Sequence, residues 1–124
     1  MQVGETIENY LETILILTKK QGEVRSIDIV NEMGYSKPTI SIMMKQLREK
    51  DYIAVDEAGF ISLTEQGLKI AKRVYERHVL LTKLLVELGV NEEVAAIDAC
   101  RVEHVISKES FEKIKEFYGK FKEE

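Results

Sequence analysis

Cysteine and proline are nearly missing from this chain, with one of each in 124 residues. A single cysteine cannot close an internal disulfide, so a reducing, cytoplasmic setting is expected. No apolar run approaches the roughly 18–20 residues needed to span a bilayer. The start, Met1-Gln2-Val3-Gly4-Glu5, has no signal-peptide character, and no membrane partner is expected. Catalytic signatures are missing as well: the sequence has no H-E-x-x-H, no G-x-S-x-G and no phosphate-binding glycine loop. An excess of positive charge is also lacking. The 18 Lys and Arg against 22 Asp and Glu leave a net charge of −4, which disfavours an indiscriminate nucleic-acid binder.

What is present describes an ordered, soluble protein, with 44% hydrophobic and 32% charged residues. The length suits one compact domain or two small ones sharing a core. Charge is unevenly placed. Lys37, Lys45, Arg48 and Lys50 stand close together, opposed only by Glu49, while the C-terminal third carries Glu92, Glu93, Asp98, Glu103, Glu109, Glu112 and Glu116. A basic patch on an acidic body fits a protein that touches phosphate with one surface and holds cations with another.

Hydrophobic period predicts the elements. Ile7, Leu11, Ile14, Leu15 and Leu17 repeat at helical spacing over residues 5–20, and Gln21-Gly22 ends the run. A short helix opens at Ser26, expected as its N-cap, and stops at Met33-Gly34-Tyr35. A third helix starts at Ser36-Lys37-Pro38, with Ser36 as cap, the lone proline in its first turn and a stripe of Ile40, Met43, Met44 and Leu47. Tyr52-Ile53-Ala54-Val55 and Phe60-Ile61-Ser62-Leu63 read as strands around Asp56-Glu57-Ala58-Gly59. A long helix from Thr64 to about Leu88 follows, broken by Gly89, then one over residues 92–106 and a last one from Ser107 to near Phe121.

Two short helices around a glycine turn, followed by a β-ribbon, are in winged helix-turn-helix order. The fold expected is therefore mainly α: an N-terminal winged helix-turn-helix DNA-binding domain over residues 1–63 and a helical domain over residues 64–124. A recognition helix turns its first residues to base edges in the major groove. Here these are Ser36, Lys37, Pro38, Thr39, Ser41 and Ile42, with Lys45 and Arg48 better placed for phosphate. The hydroxyls suit phosphate or base edges, and Pro38 and Ile42 suit a thymine methyl. No bidentate Arg or Asn stands in the first turn, so shape and phosphate positioning carry much of the specificity.

The second informative stretch is Cys100-Arg101-Val102-Glu103-His104. A thiol, a carboxylate and an imidazole at this spacing share one face of a helix turn, and all three coordinate transition metals. Behind a winged head, they point to a DNA-binding regulator that senses metal.

Glu8-Asn9-Tyr10-Leu11-Glu12, Ser36-Lys37-Pro38-Thr39-Ile40-Ser41, Leu63-Thr64-Glu65-Gln66-Gly67, Arg77-His78-Val79-Leu80-Leu81 and the run from Asp98 to Ser107 follow in order along the chain. Through them the sequence resembles the diphtheria-toxin-repressor and manganese-transport-regulator family of metal-dependent transcriptional repressors. The resemblance implies a metal site built from Glu12, His78, Cys100, Glu103 and His104, with Asn9 as a further candidate. It also implies that residues 64–124 form a helical metal-binding and dimerisation domain, with a homodimer on a palindromic double-stranded DNA operator and control of iron or manganese homeostasis. Manganese-type members resemble one another in a carboxylate at the positions of Asn9 and Cys100; iron-type members have methionine and cysteine there. This chain matches neither type fully. Thiolate favours softer metals, so Fe(II) is preferred, with Mn(II) or Zn(II) as alternatives. Ala96 and Thr82 stand where iron-type members place ancillary-site ligands, so a second site of that kind is not expected. Nor, with the sequence ending at Glu124, is the SH3-like third domain of longer members.

Two other readings compete. One is a winged-helix regulator that needs no metal, whose Cys100 is structural or redox-sensitive. The other is a small metal hydrolase with Glu103 as general base; the helix-rich chain with a winged head speaks against it, and an enzyme is not expected.

Overall fold

The computed structural model describes residues 4–123, with side chains as far as residue 120. In order the elements are α1 (Glu5–Gln21), α2 (Ser26–Met33), α3 (Lys37–Glu49), β1 (Ile53–Val55), β2 (Ile61–Leu63), α4 (Glu65–Glu87), α5 (Glu92–Val102) and α6 (Lys108–Glu123). Two compact units divide between Lys72 and Arg73, inside α4.

In the first unit α1 packs on α2 and β2, and α3 packs on α2 and β1. The helical stripe of α1 buries Leu11, Ile14, Leu15 and Leu17, and α3 adds Ile40, Met44 and Leu47 to the core with Val24, Ile29, Ile53 and Ile61. The wing is a two-stranded antiparallel ribbon pairing Ile53 with Leu63, Ala54 with Ser62 and Val55 with Ile61. Alternation along it turns Ile53 and Ile61 inward. Its turn closes by Gly59 N–H donating to Asp56 O at 3.0 Å and Phe60 N–H to Asp56 Oδ1 at 2.9 Å. Ile61 N–H also bonds to Val24 O at 2.7 Å, which ties the ribbon to the loop ahead of α2.

One helix start differs from expectation. Ser26 is the first residue of α2, and the Asp28 carboxylate reaches back to Arg25 N–H at 2.8 Å. An acid three residues into a helix satisfies an orphan donor as well as a capping serine does.

The second unit comprises most of α4 with α5 and α6. Its buried apolar residues include Val74, Leu81, Ala95, Ala99 and Phe111. Polar ties add to these: Glu76 in α4 is paired with Lys115 in α6 at 2.5 Å on the exposed surface. Large apolar side chains stand open to solvent on the same unit, namely Val86, Leu88, Val94, Ile97, Val102, Val105 and Phe117. The helix expected over residues 92–106 ends at Val102 instead. Val105 N–H and Ile106 N–H both turn to Val102 O, at 3.0 Å each, so the chain tightens into a turn that carries Glu103 and His104.

The junction after the wing is closely fitted. Thr64 caps α4, its Oγ1 accepting from Gly67 N–H at 3.1 Å and donating to Asp51 O at 2.7 Å. A Cβ on Gly67 would run into the Tyr52 carbonyl oxygen. Helix propensity alone would make Gly67→Ala stabilising by about 1 kcal/mol. The backbone collision reverses the sign, and urea unfolding is expected to show a net loss of about 1–3 kcal/mol.

Candidate metal centre and nucleic-acid interface

Helix α3 has one face in the core and one in solvent. Ile40, Met44 and Leu47 are buried, whereas Ser36, Lys37, Pro38, Thr39, Ser41, Ile42, Lys45 and Arg48 are all exposed. Ile42 is the clearest case: a large apolar side chain left 59% exposed on a helix with a complete inner stripe. Ser36 Oγ accepts from Thr39 N–H at 3.3 Å and donates to Thr39 Oγ1 at 2.9 Å, so both hydroxyls are committed in part to starting the helix. The helix carries no acid in its first turn and Arg48 in its last. The positive end of its dipole therefore has no acidic side chain in the first turn beside it.

In the second unit the ligand-type residues converge. One donor atom each from Cys100, Glu103 and His104 lie within 4.8 Å of one another. Glu103 has no solvent exposure, and its carboxylate sits between two imidazoles. His78 Nδ1, from α4, lies 2.8 Å from Oε2, and His104 Nε2 lies 3.3 Å from Oε1. Glu103 Oε1 has no well-formed hydrogen bond. Cys100 is exposed, which puts the thiol at the open side of the group. Thiolate, carboxylate and imidazole around one buried, under-satisfied carboxylate form a donor set that fits a divalent transition metal. In α1, in the first unit, Glu12 is buried and Asn9 half-buried.

The triad straddles the end of α5: Cys100 lies within it, Glu103 is its C-cap and His104 follows. Glu103 keeps α-helical φ and ψ, with its N–H bonded to Ala99 O at 2.9 Å, so it stays in helical register with Cys100.

Sequence reasoning passed over two side chains. Arg77 is buried and its Nη1 donates to Glu103 O at 3.1 Å and Ile106 O at 3.0 Å, with Cζ 5.5 Å from the centre of the Phe111 ring. A signal was available. Ile70, Val74, Arg77 and Leu81 fall on one helical stripe, and an arginine on an apolar stripe is buried only with partners. Glu8 is similar, standing buried on the α1 face that holds Leu11 and Leu15.

A helix-turn-helix with a β-wing, followed by a helical unit with clustered metal donors, defines a DNA-binding regulator with a metal-binding body. Comparison with known proteins agrees. Residues 2–59 match the family described as "Iron dependent repressor, N-terminal DNA binding domain". Residues 64–124 match "Iron dependent repressor, metal binding and dimerisation domain". An HTH-type transcriptional regulator of Methanocaldococcus jannaschii is 31% identical over 123 residues, covering 98% of each chain. The transcriptional regulator MntR of Escherichia coli O157:H7 is 34% identical over 116 residues, 94% of this chain and 75% of its own. Among solved structures, the manganese regulator SloR superposes with a TM-score of 0.78 at 26% identity, over 96% of this chain and 55% of that one. The chain thus spans about half the length of that structure. It belongs to the DtxR/MntR family of metal-dependent transcriptional repressors, which are regulators and not enzymes. The two domains indicate a DNA operator and a second copy of the chain as partners. No helix among the described residues is long and apolar enough to cross a membrane.

Because Ser36 supplies the start of the reading helix, Ser36→Ala is expected to cost about 0.5–1 kcal/mol in urea unfolding. Ser36→Asp, which keeps an acceptor at the cap, should restore most of that stability.

Proposed function

We propose that this chain represses transcription from a palindromic operator when a divalent transition metal, Fe(II) in preference to Mn(II) or Zn(II), occupies its second unit. Residues 1–63 read the operator, and residues 64–124 bind metal and pair with a second copy. The observation that carries the reading is the meeting of Cys100, Glu103 and His104 donor atoms within 4.8 Å in a chain of this family.

The ligands assigned are His78, Cys100, Glu103 and His104. Glu12 and Asn9 are assigned on the family resemblance, Glu12 as a carboxylate ligand and Asn9 as an optional one. Bound metal neutralises the buried carboxylate and links α4 to the turn after α5, which shifts the population towards the conformation that binds DNA. Cys100 supports the choice of Fe(II), because thiolate selects softer ions than an all-oxygen site does. The manganese regulator SloR and a manganese-dependent repressor among the structural neighbours make Mn(II) the second reading.

On the DNA side, Ser36, Lys37, Pro38, Thr39, Ser41 and Ile42 are assigned to the groove, and Lys45 and Arg48 to phosphates. The dimer contact is assigned to the exposed apolar residues of the second unit. Val94 and Ile97 lie along α5, and Leu84, Leu88, Phe117 and Tyr118 line a shallow groove. A patch of this kind on a small domain marks an interaction surface. A regulator that reads genomic DNA and keeps a reduced thiol works in the cytoplasm.

Anaerobic titration of operator binding tests the reading. Fe(II) is expected to tighten DNA binding at least tenfold, about 1.4 kcal/mol of coupling. Cys100→Ser should lose most of the Fe(II) response while retaining more of the Mn(II) response. Equal DNA affinity with and without metal would leave the winged-helix reading and remove the metal-activated one. For the interface, Ile97→Glu and Leu88→Glu are expected to shift the protein from dimer to monomer in sedimentation analysis. If both variants stay dimeric, the second copy docks elsewhere.

A further inference from the structure

Arg77 is explained by neither the DNA face nor the donor set, yet it is among the few buried charged residues of the described part of the chain. Past the end of α5 at Val102, the carbonyls of the turn have no continuing helix to bond them. The turn meets part of this need itself, through Val102 O. Glu103 O and Ile106 O are taken by Arg77 Nη1 at 3.1 and 3.0 Å. The next residue on α4, His78, holds the Glu103 side chain, with Nδ1 2.8 Å from Oε2. Consecutive residues of one helix therefore grip the backbone and the carboxylate of a single residue. They leave the helix roughly 100° apart around its axis, so the two grips are not parallel, and together they fix both the position and the rotation of Glu103.

We propose that Arg77 is the positioning residue of the metal centre: its guanidinium holds the turn from Glu103 to Ile106 so that Glu103 and His104 meet Cys100 and His78 before metal arrives. The proposal rests on the metal reading above and adds to it the group that preorganises the ligands. A donor set held in place in advance binds without first ordering a loop, and that ordering is a large part of what weakens a binding site. The chemistry of the grip suits arginine. Guanidinium stays charged when buried and presents several donors in a fixed plane, whereas a buried lysine has a shorter reach and loses its proton more readily. The Phe111 ring beside Cζ gives the cation an apolar wall with a favourable quadrupole.

The test uses the full chain with Co(II) as the spectroscopic probe, comparing wild type with Arg77→Met, Arg77→Lys and Cys100→Ser. Wild type is expected to show thiolate-to-cobalt charge-transfer absorption that Cys100→Ser abolishes. Arg77→Met should lower Co(II) affinity at least tenfold and weaken that absorption, and Arg77→Lys should recover part of both. Urea unfolding of each apo protein supplies the unfolded fraction, for which the affinities are corrected. Wild-type affinity and absorption in Arg77→Met, or a loss fully accounted for by its unfolded fraction, would overturn the positioning role and leave the metal reading intact. Absence of the charge-transfer band from wild type would remove the thiolate site itself, and the role of Arg77 with it.

Discussion

A carboxylate with no exposure to solvent has to be held, and the second unit of this protein is arranged around that requirement at Glu103. Taking an ion of this kind out of water costs several kcal/mol unless partners replace the lost hydration. Here His78 on α4 meets one oxygen at 2.8 Å, while His104 lies 3.3 Å from the other, which has no well-formed hydrogen bond. Glu103 stands at the C-cap of α5 with its N–H still bonded to Ala99 O at 2.9 Å, and the chain turns after it. Ser107 then caps α6 by accepting from Ser110 N–H at 3.1 Å, so the ligand turn is bounded by a helix on each side.

The reading head solves a different problem by simpler means. Its helices divide cleanly into buried and exposed faces, and the exposed face of α3 gathers hydroxyls, a lysine and an apolar tip on its first turns, with cations further along. One non-glycine residue there, Asp51 just after α3, takes a left-handed φ of 64°. The left-handed residue at the end of α2 is Gly34, with φ 76°, where a side chain would be disfavoured. The wing is anchored through Val24 O and through Arg25, whose Cζ lies 4.4 Å from the centre of the Phe60 ring. Both anchors come from the loop that leads into the helix-turn-helix, so ribbon and helices are tied at a common point.

Period and punctuation make most of this fold legible in the chain of residues alone. The stripe in α1, the cap at Ser36, the glycines at 34 and 89 and the paired strands follow from local preferences that survive into the folded protein. The end of α5 is not legible in that way. Val102, Val105 and Ile106 continue an apolar pattern, while two carbonyls of the turn beyond the helix are taken by Arg77, more than twenty residues away. Long-range capture of carbonyls leaves no mark on local propensity. Arg77 itself stands out on the stripe of Ile70, Val74 and Leu81, but its partners do not. Of the candidate site, the spacing of Cys100, Glu103 and His104 is readable because near neighbours in sequence stay near in space. The share taken by His78 is available only through family resemblance, because a lone histidine in a polar stretch has no periodic signature.

The apolar side chains left open on the second unit bear on how the protein behaves when scarce. Its buried apolar residues include Val74, Leu81, Ala95, Ala99 and Phe111, while large ones such as Leu88, Ile97 and Phe117 stand outside. A body completed by a second copy gains stability by mass action, so its folding free energy depends on how many chains are present. The ligand turn belongs to that body and shares its dependence. Such a sensor has a threshold in its own copy number as well as in metal, and a cell adjusting expression of this chain would be retuning the metal concentration at which it responds.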